Sequence, residues 1–440
     1  INTDTIIGWN GNQMLLITWW EFSAVIGLLL LAWVFIPVYY HYKCTTVTEL
    51  LERRYNNPHI RGTVAAIFLL GDVLIFLPVM LYTSSLLIKA MFGLTIPLPT
   101  IAMFTATVGA AYAVFGGLRA VAFCDTYNGV IVLGMAILIT ALSLNAAGWD
   151  LSGVPSERLT MIGGGDSVLP WKTLLTGMVF TQLYYWSTNQ TITQRALAAP
   201  SVREARKGIY AAAAIRMLIV PPIIALPGVC AFKLYGKLGD QTYGNLVNQL
   251  LPTWLLGIFA TAMFGAVISS FTATLNSAAT LAVCDLHELY FKFTTKVRTL
   301  GVWCTVAFAI IAVALVPAYM NAGSIIQLIQ QLLGLFSMPI LSAFITGLLF
   351  RNVDARAVIS TIIFGAALYG ALSFGWPALC KINPDLPTPP HFLHLMAVTE
   401  VACIAFALAL NRVAFGRRAS FLLADREARL RLRTMWANVR

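Results

Sequence analysis

The sequence predicts an all-α polytopic membrane protein, and three observations carry that expectation. Of the 440 residues, 59% are apolar and 11% charged, whereas a water-soluble domain carries about 25% charged residues. Apolar runs of roughly 20 residues, the length that crosses a bilayer as a helix, recur from Met14 to Leu410. The stretches between them are too short to hold a soluble domain, so residues 1–440 are expected to form one transmembrane unit.

Taken in order, residues 1–11 are too short and too polar to span, yet Ile1 reads as the inside of a helix. The chain is therefore expected to begin partway through a helix whose first half precedes it. Full spans are expected at about 13–41, 62–90, 97–117, 121–146, 172–194, 208–234, 253–284, 299–319, 324–350, 357–375 and 392–413. The segment 46–55, TVTELLERRY, reads as an amphipathic helix on the cytoplasmic face, and 147–170, with its Gly, Ser and Pro, as an outer surface loop.

Charge orients these spans. Lys43, Arg53, Arg54, Arg61, Arg119, Arg195 to Lys207, Lys292, Lys296, Arg298, Arg351, Arg356 and the tail from Arg412 to Arg440 all fall on one side. The opposite loops carry fewer cations, mainly Arg158, Lys172, Lys233, Lys237 and Lys381. Cytoplasmic loops are enriched in Lys and Arg, so the C-terminus, including the basic tail 414–440, is expected in the cytoplasm beneath a plasma or inner membrane. The net charge of +11 then reflects loops beside anionic lipid rather than a nucleic-acid partner. The tail either lies on that lipid or is solvated. The seven cysteines show no CxxC or Cys/His spacing for a metal, and Cys124, Cys284, Cys304 and Cys403 lie in or beside apolar segments as small buried residues do. No cleavable signal peptide is visible.

Three places put polar chemistry at membrane depth. From Gln182 to Gly208 an apolar segment passes through Tyr184, Tyr185 and Trp186, turns polar at Ser187–Gln190, and leaves through Arg195. Lipid offers polar groups no partners, so these face a cavity or each other. Alternatively, the stretch is an interfacial helix end followed by a basic loop. From Gly265 to Asp285, Ser269, Ser270, Thr272, Thr274, Asn276, Ser277 and Thr280 interrupt an apolar span. Small hydroxyls suit close helix packing, but they also supply the oxygens that a hard cation such as sodium needs without burying a permanent charge. Asp125, Glu21 and Arg216 are ionisable groups in or at the ends of spans, and such groups are functional candidates by default. Asp125 could instead pair with Arg119, and Glu21 could be an interfacial acid beside Trp19 and Trp20.

The run from Asn189 to Gly208, NQxxxQRALAAxSxxEAxKG, resembles the signature segment of the sodium/solute symporter family, which includes sodium–sugar and sodium–sialic acid cotransporters. Ile1 to Gly8 resembles the second half of that family's IS-x-E-x-x-x-G segment, and Ala266–Ser270 its A-x-x-S-S pattern. The resemblance covers nearly the whole chain. It implies a LeuT-type fold of two inverted five-helix repeats, one truncated within 1–146 and one over 172–319, with peripheral helices at 324–413. It also implies sodium as the co-transported ion.

Residue by residue, the resemblance carries sodium ligation to the carbonyls of Ile1 and Ala266 and the hydroxyls of Ser269 and Ser270. The partner carbonyl three residues before Ile1 lies outside this sequence. Asp125 with Thr272 corresponds to a second sodium site found in some members, although Ala273 stands where another hydroxyl would be. One ion rather than two is the expectation. For the solute, the resemblance points to Glu21, Gln182, Tyr185 as an inner gate, and Gln330. Arg216 and Thr5 stand where sugar carriers have Lys and often Gln.

The implied activity is sodium-coupled import of a small polar solute, a monosaccharide first. The alternatives are a carrier of sialic acid or another organic anion, and a sensor that keeps the fold without transport. No nucleophile–base pair or metal cluster supports an enzyme.

Overall fold

The computed structural model describes residues 14–165, 167, 169–236, 242–291, 297–320 and 325–421, with the backbone alone at 14, 117–125, 157 and 325–328. The helices are α1 (Leu15–His41), α2 (Val47–Tyr55), α3 (Pro58–Phe92), α4 (Leu98–Ala146), α5 (Gly177–Leu183), α6 (Gln190–Leu197), α7 (Val202–Tyr235), α8 (Thr242–Leu250), α9 (Thr253–Tyr290), α10 (Val297–Tyr319), α11 (Ile325–Leu349), α12 (Ala355–Ile382) and α13 (Phe392–Val413). A two-residue antiparallel pair joins β1 (Phe350–Arg351) to β2 (Ser420–Phe421). Ten helical stretches among the described residues are long and apolar enough to cross a membrane.

Two expectations change. The spans at 97–117 and 121–146 were expected to be joined by a turn at Arg119, but helical bonding runs unbroken through the 49 residues of α4. At 1.5 Å per residue that is about 74 Å, far beyond a hydrocarbon core of about 30 Å. Its halves pack separately: Ala102, Ala106 and Ala113 join a cluster with α3, α9 and α10, whereas Met135 and Ile139 pack with α7, α8 and α9. No proline stands between Pro99 and Ala146 to stop the helix, and the Gly116–Gly117 pair alone does not. The second change is at 172–194, expected as one span. It is a short helix α5, a wide π-type turn at Tyr184–Thr188, an extended Asn189, and then α6.

Wide turns recur just before prolines: Leu31–Phe35 before Pro37, Asp72–Phe76 before Pro78, and Ala371–Gly375 before Pro377. Proline has no N–H for the carbonyl four residues back, so each turn must place an orphaned carbonyl. At Pro78 that carbonyl belongs to Leu74, and the Tyr319 hydroxyl of α10 donates to it at 2.5 Å. The wide turn in α3 is thereby locked to α10.

α2 is a short amphipathic helix, as its pattern predicts. The Thr46 hydroxyl accepts from the Glu49 N–H at 3.3 Å, and the Glu49 carboxylate accepts from the Thr45 N–H at 2.7 Å, a reciprocal cap. Its apolar face, Val47, Leu50 and Leu51, is buried against α1, α3 and α11. Where α2 meets α3 and α9, a fully buried Asp285 takes the Thr48 hydroxyl at 2.6 Å and Arg61 Nε at 2.8 Å. Arg61 Nη1 reaches Glu52 at 2.8 Å. One guanidinium thus ties three helices together through two carboxylates. In the 147–170 loop, Asp150 accepts from the Ser152 hydroxyl, from the Ser152 N–H at 2.8 Å and from Lys233 Nζ at 3.2 Å, which together hold its carboxyl down at about 2.

α1 runs against the broken α5 without room for a side chain at Gly27, where a Cβ would lie 2.4 Å from the Gln182 carbonyl oxygen and 3.0 Å from Trp186 Cβ. Gly27→Ala is expected to lower stability by about 1–3 kcal/mol, the range for overpacking, read as a lower melting temperature of the detergent-solubilised protein. Asp285→Ala leaves the Arg61 charge half-partnered in a buried site and should cost about 3–5 kcal/mol. Asp285→Asn, which keeps the hydroxyl contacts, should cost less on the same melting assay.

Candidate functional site

The break at Asn189 positions the site. Asn189 adopts an extended conformation (φ −74°, ψ 129°), and its side chain caps α6 by accepting from the Thr191 N–H at 2.9 Å. An interrupted helix leaves backbone carbonyls without their usual donors, and α1 supplies them. Tyr39 donates its hydroxyl to the Ser187 carbonyl at 3.2 Å, and Tyr40 donates to the carbonyls of Ala196 and Ala199 at 3.1 and 2.7 Å. In return the Ser187 hydroxyl donates to the Gly27 carbonyl at 2.9 Å. The Gln190 side chain accepts from the Val47 N–H at 2.9 Å, extending the clasp to α2. The polar run that looked out of place in an apolar span is therefore the inside of a helix–helix seam. Ser187, Thr188, Asn189 and Gln190 are all buried.

On the other end of the wide turn, four of the sequence-predicted residues come together. Arg216 of α7 makes an ion pair with Glu21 of α1, and its guanidinium lies over the Trp186 ring, 4.2 Å from the centroid. Trp186 donates its indole N–H to Gln182 Oε1 at 2.9 Å. Gln182 Nε2 donates to the Trp20 carbonyl and the Ser23 hydroxyl, both at 2.9 Å. Tyr185 packs edge-on to Trp186 with centroids 5.2 Å apart. Glu21, Arg216 and Tyr185 are half-buried while Gln182 is buried. Arg216 thus has an acid and an aromatic face as its partners within the chain.

Sequence reasoning missed two members of this cluster. Trp186 bridges Arg216 and Gln182, and its four-residue spacing from Gln182 was the available signal, since residues i and i+4 share a helix face. Ser23 lies one such step below Trp19, to whose carbonyl it also donates, and nothing in its context marks it. Gln330, on α11, leaves its Oε1 buried without a donor.

Ala266, Ser269, Ser270 and Thr272 of the expected sodium residues lie on one stretch of α9. Ser269 donates to the Ala266 carbonyl at 3.1 Å, so two of the expected ligands are already neighbours, and Ser270 beside them is exposed. Thr272 faces elsewhere and donates to the Gly109 carbonyl of α4 at 3.0 Å, at a close crossing where a Cβ on Gly109 would come within 2.6 Å of Phe271. Ile1, Thr5 and the Asp125 side chain lie outside the described residues.

Comparison with known proteins places the family and the fold. The profile of the Sodium:solute symporter family matches residues 7–365. The chain is 31% identical to the uncharacterized symporter YidK of Escherichia coli (strain K12), over 91% of this chain and 72% of that protein. It is 28% identical to the sodium/glucose cotransporter of Vibrio parahaemolyticus, over 82% and 73% respectively. It is 27% identical to the sodium/myo-inositol cotransporter 2 of Rattus norvegicus, over 79% of this chain and 58% of that one. Among solved structures, a sodium-coupled sialic acid symporter in a substrate-bound outward-open state superposes with a TM-score of 0.77 at 16% identity, covering 93% of this chain and 85% of the other. The nucleobase-cation-symport-1 family transporter Mhp1 superposes with a TM-score of 0.54 at 14% identity, covering 94% and 88%. At those identities the likeness is one of fold, and it is the LeuT-type fold of inverted five-helix repeats with peripheral helices. A family profile spanning most of its length and relatives that pair sodium with a solute have one conclusion: the chain belongs to the sodium:solute symporter family, multi-pass membrane proteins that couple solute transport to sodium.

Proposed function

We propose that the solute is a small neutral polyol, a monosaccharide first, seated at the Glu21–Arg216–Trp186–Gln182 cluster. The observation that carries this reading is the ion pair over the indole. Glu21 neutralises Arg216, so the cluster presents no net charge and does not select an anion. A carboxylate can accept from adjacent hydroxyls, a guanidinium can donate to them, and an indole offers a face for a sugar ring. Gln330 Oε1, buried without a donor, would accept from a further hydroxyl, and Thr5 would meet the solute as well. Tyr185, edge-on to Trp186, is placed to close the inner side. The relatives named for glucose and myo-inositol agree with a polyol.

Sodium is bound between the unwound first helix and α9, by the carbonyls of Ile1 and Ala266 and the hydroxyls of Ser269 and Ser270. Asp125 with Thr272 is the further position the family pattern offers. Holding those two helices together stabilises the outward-open state, and solute binding then lets the halves rock and expose both to the cytoplasm. A cation crossing with a neutral solute draws about 2.3 kcal/mol per 100 mV from the membrane potential. The halves are 1–146 and 172–319, with 324–413 peripheral, and the basic loops support a cytoplasmic C-terminus beneath a plasma or inner membrane, where cations would meet anionic lipid.

A second reading, sodium-coupled transport of sialic acid or another organic anion, is favoured by Arg216 standing where sugar carriers have Lys. It requires the solute carboxylate to displace Glu21. Uptake of labelled hexoses, myo-inositol and sialic acid by the full-length protein in vesicles, with and without a sodium gradient, separates the two. The polyol reading expects sodium-dependent uptake of a neutral solute that falls at least about tenfold in Glu21→Ala, the cost of leaving a buried charge partner behind, and that is also lost in Ser270→Ala. Uptake of the acid alone, lost in Arg216→Ala, would replace it with the anion reading. Sodium binding with uptake of none of these would favour a sensor.

A further inference from the structure

Between α4 and α10 lies a groove that neither the ion nor the solute uses. It encloses about 610 Å³ and is lined from both helices, from Met103 to Phe115 of α4 and from Val302 to Ala314 of α10. The recess exists because small residues meet at the helix contact, where Ala106 and Ala309 are buried. Met103, Phe115 and Ile310 are exposed along it and form its rims. Thr107 is the one polar side chain in that lining, and its hydroxyl donates to the Met103 carbonyl at 2.8 Å. The groove therefore suits a hydrocarbon chain rather than a polyol. From Met103 to Val114 it follows eleven residues of helix, about 16 Å. That is the depth of one leaflet, roughly half of a hydrocarbon core of about 30 Å.

At one end the groove adjoins a second cavity of about 220 Å³, which shares Val114 and Val302 with it and reaches α9. The chemistry changes there. Arg298, exposed in the first turn of α10, lines this cavity together with Asn276 and Thr280 of α9. Arg298 is the only charged residue of the lining among those described, and Asn276 Nδ2 is buried without an acceptor. Asp285, next in sequence to the lining Cys284, is already held by Arg61. An apolar slot one leaflet long thus ends in a positively charged mouth. Arg298 also belongs to the cation-rich loops that the sequence sets in the cytoplasm, and basic pockets between transmembrane helices on that side take anionic lipid headgroups. Lipid that merely wets a helix surface needs neither the recess nor the cation.

We propose that the paired recess binds one anionic glycerophospholipid, with an acyl chain along α4 and α10 and its phosphate against Arg298 and Asn276. A free phosphate would leave the groove unused, and a neutral sterol would leave the cation unused. The lipid bridges three helices at Asn276, about two turns along α9 from Ser269. Its binding needs neither sodium nor solute.

Native mass spectrometry of the delipidated full-length protein tests it, with phosphatidylglycerol, phosphatidylcholine and glycerol 3-phosphate added in turn. Phosphatidylglycerol should give one adduct that survives the activation that strips phosphatidylcholine. Arg298→Gln should weaken that adduct about fivefold, the scale of one cation at an anionic surface, and Arg298→Lys should recover most of it. Ala111→Trp, which fills the groove from an exposed position, should weaken it about tenfold or more by displacing the buried chain. Glycerol 3-phosphate, which has no chain to bury, should bind weakly to every form. Arg298→Gln, a surface change, decides the matter if Ala111→Trp fails to fold. Equal retention of the two lipids overturns the proposal, and so does phosphatidylglycerol binding that Arg298→Gln leaves unchanged. Glycerol 3-phosphate binding as tightly as the lipid also overturns it, in favour of a free anion. None of these readouts involves uptake, so a failure of sodium coupling could not imitate them.

Discussion

The structure depends on a helix that is not allowed to finish. Breaking α5 from α6 at Asn189 exposes backbone groups where lipid provides none of their partners, and the fold is arranged to supply them from α1. Tyr39, Tyr40 and Gly27 reach the carbonyls and hydroxyl around the break. Gly27 is required because any side chain there would strike the Gln182 carbonyl. The same approach brings Glu21 and Ser23 of α1 next to Gln182 and Trp186. Satisfying the broken backbone and building a polar cluster at membrane depth are consequences of one helix–helix contact.

That contact also suggests how ion and solute are linked. The polar cluster hangs from the upper side of the wide turn at Tyr184–Thr188, and Tyr184 of that turn stacks on Phe68 of α3. α3 in turn packs on α9, which carries the Ser and Thr residues of the sodium reading. A shift of the wide turn would therefore be felt by both groups, and a ligand that prefers one setting of it biases the other site by the same free energy. Buried hydroxyl pairings of this kind are discrete, so such a shift moves between packed states rather than deforming smoothly.

Much of this was legible in the sequence because membranes make strong demands. Length and apolarity marked the spans, whereas the amide-rich run after Trp186 marked polar chemistry at depth without revealing the break, since 172–194 was expected as one span. Arg216 and Glu21 were visible as ionisable groups at spanning depth that could pair, and the fold brings these residues, 195 positions apart, together. The turn expected at Arg119 was not found, because a basic residue beside two glycines signals a loop only if the helix has a reason to stop. Trp186 was overlooked among three consecutive aromatics, since period-3.6 geometry rather than composition decides which of them faces Arg216.

The most direct test of sodium coupling to a neutral solute is electrical. Full-length protein in liposomes on a solid-supported membrane should give a transient current of inward positive charge when a transported monosaccharide is added in sodium chloride, and none when choline replaces sodium. A current that persists without sodium, or solute entry with no charge movement in its presence, would contradict the account.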